Sequence, residues 1–502
     1  MQKICPNPCI VLNIVLHLQP FCGECSKKSE KLTILFIGKK MKKTLLSLAM
    51  LSISASALAG GVLTNTNQSV AFIRMMTRGA MIDSDGPYSN PAGLGFLQRE
   101  GLHLSFNWQN AYQERNIDAT FPLFPEANNH RFYKGTASAP VIPSLFLTYK
   151  KGPWAISAYG GVVGGGGEAS YSTGLPMFDS GVMAKIAANP TMQTLMQATG
   201  AKAASDLYDL NTAMKGRQFI YSFQAGVSYR ATDWLSVYAG MRMNYFTGGY
   251  KGYVTASAKP ELLQNPIIQQ AAAVNPALAA LANQPLVDLR LDVDQKGWGV
   301  APIIGAHVKL NKWNIGLKYE MKANLNIENE TKENSDPNGS LAAYSNGVNT
   351  PSDVPALFSA AVMYEVLPTL RASVEYHHFF DKNAEMANDK QKTLTRGTNE
   401  YQVGVEWDAH KYITLSAGYQ RTDYGLSDDF QYDTSFFCDS YSMGFGGIVH
   451  LSSRMKINVG YFWTHYHKYT KQSSNYNGTS LPGTNVYSRH NKVFGASIDY
   501  IF

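Results

Sequence analysis

Cysteine is scarce where it would matter. Of five cysteines in 502 residues, Cys5, Cys9, Cys22 and Cys25 fall within the first forty positions, and Cys438 stands alone in the remainder. One cysteine makes no internal disulfide, so a stapled scaffold is excluded for that remainder. The pairs "CPNPC" and "CGEC" have metal or redox spacing. They precede a secretory signal, however, and are read as discarded sequence. Charge is also sparse, at 16% Asp, Glu, Lys and Arg, and the excess of +7 is misleading. Residues 1–59 hold eight of the 44 basic and two of the 37 acidic residues, and without them the balance is +1. A basic face for nucleic acid is therefore not expected. Long apolar runs are missing as well. The run Leu45 to Leu58 is too short for a membrane-spanning helix. No phosphate-binding Gly-Lys-Ser/Thr loop and no N-terminal box for an energy-coupling partner is present, so neither nucleotide hydrolysis nor coupled import is indicated.

The short run does have a meaning. In "MKKTLLSLAMLSISASALAGG" (Met41 to Gly61) two lysines precede it and Ala57-Leu58-Ala59 closes it. A positive start, a short apolar middle and a small-x-small end make a secretory signal. Cleavage is expected after Ala59, with a mature chain from Gly60. Met41 is the expected start, and residues 1–40 an upstream extension from a misassigned start codon.

What is abundant is Gly (43), Tyr (29) and Phe (23), a composition for half-buried β-structure. After residue 100 apolar residues recur at every second position. "LHLSFNW" aligns Leu102, Leu104, Phe106 and Trp108. "QFIYSFQAGVSYR" sets Phe219, Tyr221, Phe223 and Val227 against Gln218, Ser222, Gln224 and Ser228. Period two over ten or more residues means strands with one apolar and one polar face. Fourteen such segments are predicted, near 101–115, 143–150, 153–162, 217–230, 234–247, 297–310, 312–326, 355–366, 369–381, 398–408, 411–422, 439–451, 455–467 and 490–502. Short polar turns such as Lys150-Lys151-Gly152 and Leu367-Pro368 alternate with long joins. Short turns at one end and long loops at the other describe a bacterial outer-membrane barrel, and the strand lengths suit a tilted crossing of the hydrocarbon layer. The predicted fold is all-β: a 14-stranded antiparallel transmembrane β-barrel, residues 101–502, its apolar face toward outer-membrane lipid. In a barrel the last strand, "VFGASIDYIF", pairs with the first. Two joins, 180–216 and 260–284, are rich in Ala, Leu, Met and Gln and are expected to be helical. They either pack on each other over the barrel mouth or offer a ligand an apolar landing site.

Residues 60–100 do not alternate, yet "VAFIRMM" is apolar enough to require burial. A fourteen-stranded barrel has an open lumen unless something fills it. This segment is therefore expected to be an N-terminal hatch inside the barrel. In strand 3, "WAISAYGGVVGGGGEASY", Gly160, Gly161, Gly164, Gly165, Gly166 and Gly167 interrupt the pattern. Glycine in a strand marks a bulge or close approach; the segment is read either as a break in the wall or as a loop that begins early. On the polar faces Arg242, Lys318 and Arg371 are candidates to meet a ligand carboxylate. The alternative is that they pair with lumen acids such as Glu320, Glu375 or Glu406.

The order of motifs resembles one family. "YSNPAGLGFL" after "TRGAMIDSDGP" resembles the hatch of the FadL/TodX outer-membrane transporters of hydrophobic compounds. "GWGVAPIIGAHVKLNKWNIGLKYE", "SDVPALFSAAVMYE", "ASVEYHHFFDKN", "EYQVGVEWDAHKYITLSAGYQRTD" and "FGASIDYIF" follow in the family's order. The helical insert at 180–216 looks longer than usual. The resemblance implies a hatch motif at Asn90, Pro91 and Ala92 and a lateral opening at an inward kink of strand 3. It implies passive uptake of a hydrophobic ligand, long-chain fatty acids first and aromatic hydrocarbons second. It also makes the terminal Phe502 similar to the aromatic that barrel-assembly machinery recognises. A monomer without cofactor is expected, with ligand binding shifting the hatch.

Other classes are weaker. Ser373, Glu375 and His377 share one strand face, whereas catalytic triads converge from different elements, so an enzyme is not indicated. His465 and His467 read as interfacial rather than as metal ligands. A general porin needs an open lumen, and no motif for haem uptake is present.

Overall fold

A computed structural model describes residues 68–201, 203–274 and 285–502. The expected extension, signal and cleavage site lie outside these residues, as does 275–284 of the second insert.

Strands β1 (Gly101–Thr120), β2 (His130–Lys151), β3 (Trp154–Tyr171), β4 (Tyr208–Arg230), β5 (Leu235–Ala258) and β6 (Val287–Leu310) form one half of the wall. The other half is β7 (Trp313–Glu320), β8 (Asn326–Asn334), β9 (Asn349–Pro351), β10 (Leu357–Leu367), β11 (Leu370–Phe379), β12 (Asn399–His410), β13 (Ile413–Asp423), β14 (Ser440–His450), β15 (Met455–Tyr466), β16 (Tyr469–Ser473) and β17 (Gly483–Ile501). Three staves are interrupted: β7 continues as β8, β9 leads into β10, and β15 continues as β16. The result is a closed barrel of 14 antiparallel staves. It closes by β1 against β17, in register from His103↔Ile501 to Thr120↔Thr484.

The alternation is inverted relative to a soluble protein. On β4, Ser222 and Ser228 are fully buried, while Phe223 on the outer face is 62% exposed. Outward aromatics gather at two levels. Trp154 on Tyr229 and Trp313 on Tyr364 lie toward the short-turn end, and Tyr376 on Tyr401 and Tyr419 on Tyr441 lie toward the long loops. An apolar band between two aromatic girdles is the surface of a protein that lies in lipid. An apolar groove of about 690 Å³ on this outer face, walled by Val374, Val403, Val405, Tyr419, Phe445 and Trp463, belongs to that surface and not to the lumen.

Several strands run further toward the long loops than predicted. β4 begins at Tyr208, not 217, β5 ends at Ala258, not 247, and β6 begins at Val287, not 297. In these extensions the outer face is charged rather than apolar. Lys215 meets Glu168, Arg217 meets Asp294, Lys251 meets Asp292, and Lys296 meets Glu330. Outside the lipid layer an outward residue has no reason to be apolar, so the alternation fades while the hydrogen-bonded ladder continues. The helical part of the first insert is correspondingly shorter, Pro176–Ala187 and Pro190–Thr199, and the second reads Pro260–Gln264 and Pro266–Val274. Phe178, Val182 and Ile186 of the first insert and Leu262 and Ile268 of the second share one buried cluster with Phe121, Tyr133 and Tyr476 at the mouth.

Candidate functional site: a filled lumen and a break in the wall

Residues 68–97 fill the lumen. The helix Val70–Arg74 is capped by Ser69, whose Oγ accepts the Phe72 amide at 3.1 Å. It packs against β13, β14, β15, β17 and β1. A run of inward glycines makes room for it. Gly404 opposes Gly418, which opposes Gly444; Gly446 opposes Gly460, which opposes Gly495. A β-carbon at Gly444 would stand 2.1 Å from the Ile73 carbonyl oxygen, and one at Gly495 2.7 Å from the Ile73 side chain. At Gly316 it would lie 1.8 Å from the Gly79 carbonyl oxygen. The wall is thus cut back to bare backbone where the hatch lies. These residues were not picked out from the sequence, although their recurrence on the polar face of neighbouring strands was a readable sign.

Charged groups then lock the hatch. Arg74 reaches Glu406 at 2.5 Å and Ser416 at 2.8 Å. Arg78 forks onto Asp85 at 2.7 and 2.9 Å and reaches Asp83 at 3.1 Å. Asp83 in turn meets Lys456. Burial alone would raise the Asp83 carboxyl, but Lys456 and Arg78 outweigh it and hold it well below the usual carboxylate range. Asn90 is central: its Oδ1 accepts the Gly93 amide at 3.1 Å, and its Nδ2 lies 2.9 Å from both the Met81 carbonyl and His307 Nδ1. Pro91 starts the 3₁₀ turn Pro91–Phe96, and its carbonyl accepts from Ser228 at 2.6 Å. Ala92 is buried against Tyr238 and Ile303.

The three cations considered for a ligand carboxylate meet acids of the wall. Arg242 lies 2.5 Å from Glu320 and stacks over Tyr88, with 4.4 Å from guanidinium to ring centre. Lys318 lies 2.7 Å from the same Glu320 and donates to the Tyr88 carbonyl at 2.8 Å. Arg371 forks onto Asp408 at 2.8 Å and reaches Glu406 at 3.1 Å. Ser373, Glu375 and His377 serve the hatch as well. Ser373 hydrogen-bonds Thr77, Glu375 accepts the Gly79 amide at 2.8 Å, and His377 bridges Glu375 and Glu400 at 2.6 and 2.9 Å. Among the described residues no group of acids, histidines or cysteines is arranged to hold a metal ion.

The ladder between β2 and β3 is interrupted. It runs from Lys151↔Trp154 to Ser144↔Gly161 and resumes only at Ser138↔Glu168. Gly160 and Gly161 are therefore still paired, while Gly164, Gly165, Gly166 and Gly167 lie in the gap. Gly165 and Gly167 both take φ +80°, a conformation glycine adopts without strain. On the facing edge stand Pro140 and Pro143, which have no N–H to offer a partner. The Pro140 carbonyl is instead served by Trp108 Nε1 at 3.2 Å and Asn110 Nδ2 at 3.3 Å. These prolines are a signal the strand-by-strand reading passed over, because it began strand 2 at 143. The first described residue of the hatch lies at the edge of this gap: the Gln68 carbonyl accepts from Ser144 at 2.7 Å, and its Oε1 accepts from Tyr159 at 2.7 Å.

No protein-family model and no curated protein matches the sequence. Solved structures do match. A FadL homologue of Pseudomonas aeruginosa aligns over 88% of this chain and 100% of its own, with TM-score 0.58 and 14% identity. The toluene transporter TodX of Pseudomonas putida aligns over 85% and 96%, with TM-score 0.52 and 13% identity. The chain has the FadL fold. Within the FadL fold the glycine-lined seat and the gap beside β3 are features of this chain's own residues, since so low an identity carries the architecture and not the side chains.

Proposed function

We propose that this chain is an outer-membrane channel through which hydrophobic compounds pass passively, leaving sideways through the gap between β2 and β3. The gap itself is the observation that carries the reading. In a lipid-facing wall each unpaired backbone group costs several kcal/mol, so a break persists where its edges are satisfied otherwise or where something enters. Here prolines and side-chain donors quiet one edge, and on the other Gly164 to Gly167 follow Val162 and Val163, so that four of the six unpaired residues carry no side chain. An axial route is blocked by the hatch. The solved structures of like fold are named as a FadL homologue and a toluene transporter. Long-chain fatty acids are the ligand we put first. Aromatic hydrocarbons are the second reading, favoured by one observation: Arg242, Lys318 and Arg371 already face acids, which suits an uncharged ligand at that level of the lumen.

A reversible lock tests the exit. An ideal β-carbon at Gly167 lies 3.7 Å from the Ala139 β-carbon, within disulfide range. A side chain at Gly167 is strained at φ +80°, so Gly167→Cys alone serves as the control; against it, the pair Ala139→Cys and Gly167→Cys is expected to stop oleate and toluene uptake when oxidised and to restore it on reduction. Unchanged uptake by the cross-linked protein would remove the lateral route.

A further inference from the structure

Toward the long loops the lipid-facing side of the wall differs between the two halves of the barrel. On β4, β5 and β6 outward cations are matched by acids, as Arg217 is by Asp294 and Lys251 by Asp292. On β17 and at the outer end of β15 the outward groups are His465, His467, His490 and Lys492. All four are exposed, and none forms an ion pair among the described residues. Register gathers them: His465 opposes His490, and Trp463 opposes Lys492. Such neighbours lie about 5 Å apart across strands and about 7 Å apart along one. The His465 ring is 5.8 Å from that of His467 and 5.0 Å from that of Tyr441. The carboxylate beside them is taken, since Glu114, opposite His490 on β1, accepts from Lys134 at 2.7 Å and from Tyr112 at 2.9 Å. Their level is set by the strands themselves. Outward residues run Ile498, Ala496, Phe494, Lys492, His490 along β17 and Tyr461, Trp463, His465 along β15. The change from apolar to polar marks where hydrocarbon gives way to head groups. A second observation adjoins this patch. The outer groove of about 690 Å³ takes Trp463 as one wall and extends across β14, β13 and β12 as far as Trp313, with Gly418 and Gly444 among its lining. An empty groove in lipid forfeits dispersion contacts on both sides, so hydrocarbon fills it.

We propose that this face binds one anionic lipid of the leaflet nearest the long loops, with its terminal phosphate held by Lys492, His490, His465 and His467 and an acyl chain laid in the groove beside Trp463 and Phe445. This rests on the membrane placement in the reading above, not on passage through the channel. The chemistry follows from the donors. A terminal phosphate offers several acceptor oxygens and negative charge; the Lys492 ammonium supplies three donors and a positive charge, and each imidazole supplies at least one N–H in either protonation state. The lysine stem can lie along the apolar wall while its head rises to the head-group level. The belt on β4 to β6 has its charges matched internally and no groove beside it, so one side of the barrel is preferred. Head patch and tail groove meet at Trp463, as a single two-part lipid requires.

The test counts lipids retained by the detergent-purified full chain in native mass spectrometry. Dipalmitoyl phosphatidic acid, with a terminal phosphate, is compared with dipalmitoyl phosphatidylcholine, whose phosphate is covered by a choline. The unaltered protein is expected to retain one phosphatidic acid at least ten-fold more tightly than phosphatidylcholine. The double variant His490→Gln, Lys492→Gln should bring the two lipids within two-fold of each other, and His465→Gln, His467→Gln should move them the same way. All four side chains face outward, so the heat-modifiable band on a gel should persist. Lys251→Gln, on the other half of the wall, should keep the ten-fold preference. Glycerol 3-phosphate in hundred-fold excess, a head without tails, should not displace the lipid. Equal retention of both lipids by the unaltered protein overturns the site, as does a preference that survives in both folded double variants or is lost equally in Lys251→Gln. Displacement by glycerol 3-phosphate shows a site for a free anion and overturns the lipid. Uptake of oleate and toluene is read separately: its absence in a protein that keeps the lipid preference overturns the channel and leaves this site standing.

Discussion

Asp83 and Asp433 are both buried, and their surroundings drive them in opposite directions. Asp83, in the hatch, is held ionised by Lys456 and Arg78 against the effect of burial. Its contribution to hatch docking is in place above the ordinary Asp range and is lost as pH falls below about 4. Asp433 lies in the loop between β13 and β14. It accepts from the Met177 amide at 2.8 Å, Asn485 at 2.8 Å and Tyr487 at 2.9 Å, and so ties the first helical insert to β17. Burial outweighs these donors and the nearby Lys471 and raises the carboxyl to about 6. A raised acid favours the folded loop below the unfolded value and loses that advantage as pH climbs to the folded one. Two pH units correspond to roughly 3 kcal/mol. Hydrogen-exchange protection factors should therefore show opposite slopes. The hatch, residues 68–97, is expected to gain protection from pH 3 to 5, while the 424–439 loop loses protection between pH 4 and 6 and then levels off. Asp433→Asn should flatten the second profile. A loop whose protection rises over that interval would contradict the assignment.

At the scale of elements, hatch and wall are cut to fit, and the fit is made by glycine. Gly444→Ala places a methyl 2.1 Å from the Ile73 carbonyl, where neither backbone has room to give. Overpacking of this kind costs about 1–3 kcal/mol, and even the low end is a factor of roughly five in an equilibrium. The cost falls on hatch docking, since the β13–β14–β15 ladders do not need the hatch to form. Gly444→Ala is expected to leave a folded barrel with raised single-channel conductance; conductance equal to that of the unaltered protein would show that the seat is loose. The same track explains what was and was not legible beforehand. Strands were visible wherever lipid demands an apolar outer face, as in Phe223, Val403 and Phe445. Their outer halves were hidden because Lys215, Arg217, Lys251 and Asp292 answer to water, and water imposes no period. Asn90 and Pro91 were singled out through resemblance alone, and where they sit depends on His307 and Ser228, far along the chain. The partners of Arg242, Lys318 and Arg371 were visible only as alternatives, because register decides which inward acid faces which inward base.

For the whole molecule, lipid and water have changed places relative to a soluble fold, and substitutions should be ranked by that exchange. Val403 lies on the outer face, 49% exposed, between Tyr401 toward the long loops and Trp407 toward the short turns. An arginine at such a depth costs about 2–4 kcal/mol in a lipid-embedded barrel. Lys215 is also outward, but it is 61% exposed at the far end of β4, and its contact with Glu168 at 3.7 Å is a surface pair of little weight. Val403→Arg is therefore expected to reduce folding into phospholipid vesicles strongly, read as loss of the heat-modifiable band on a gel. Lys215→Ala should leave that band intact. In a soluble sandwich the ranking would differ, because a new charge at a half-exposed surface position costs little there. Equal effects of the two substitutions, or folding in buffer without lipid or detergent, would place this surface in water and remove the membrane on which the lateral exit depends.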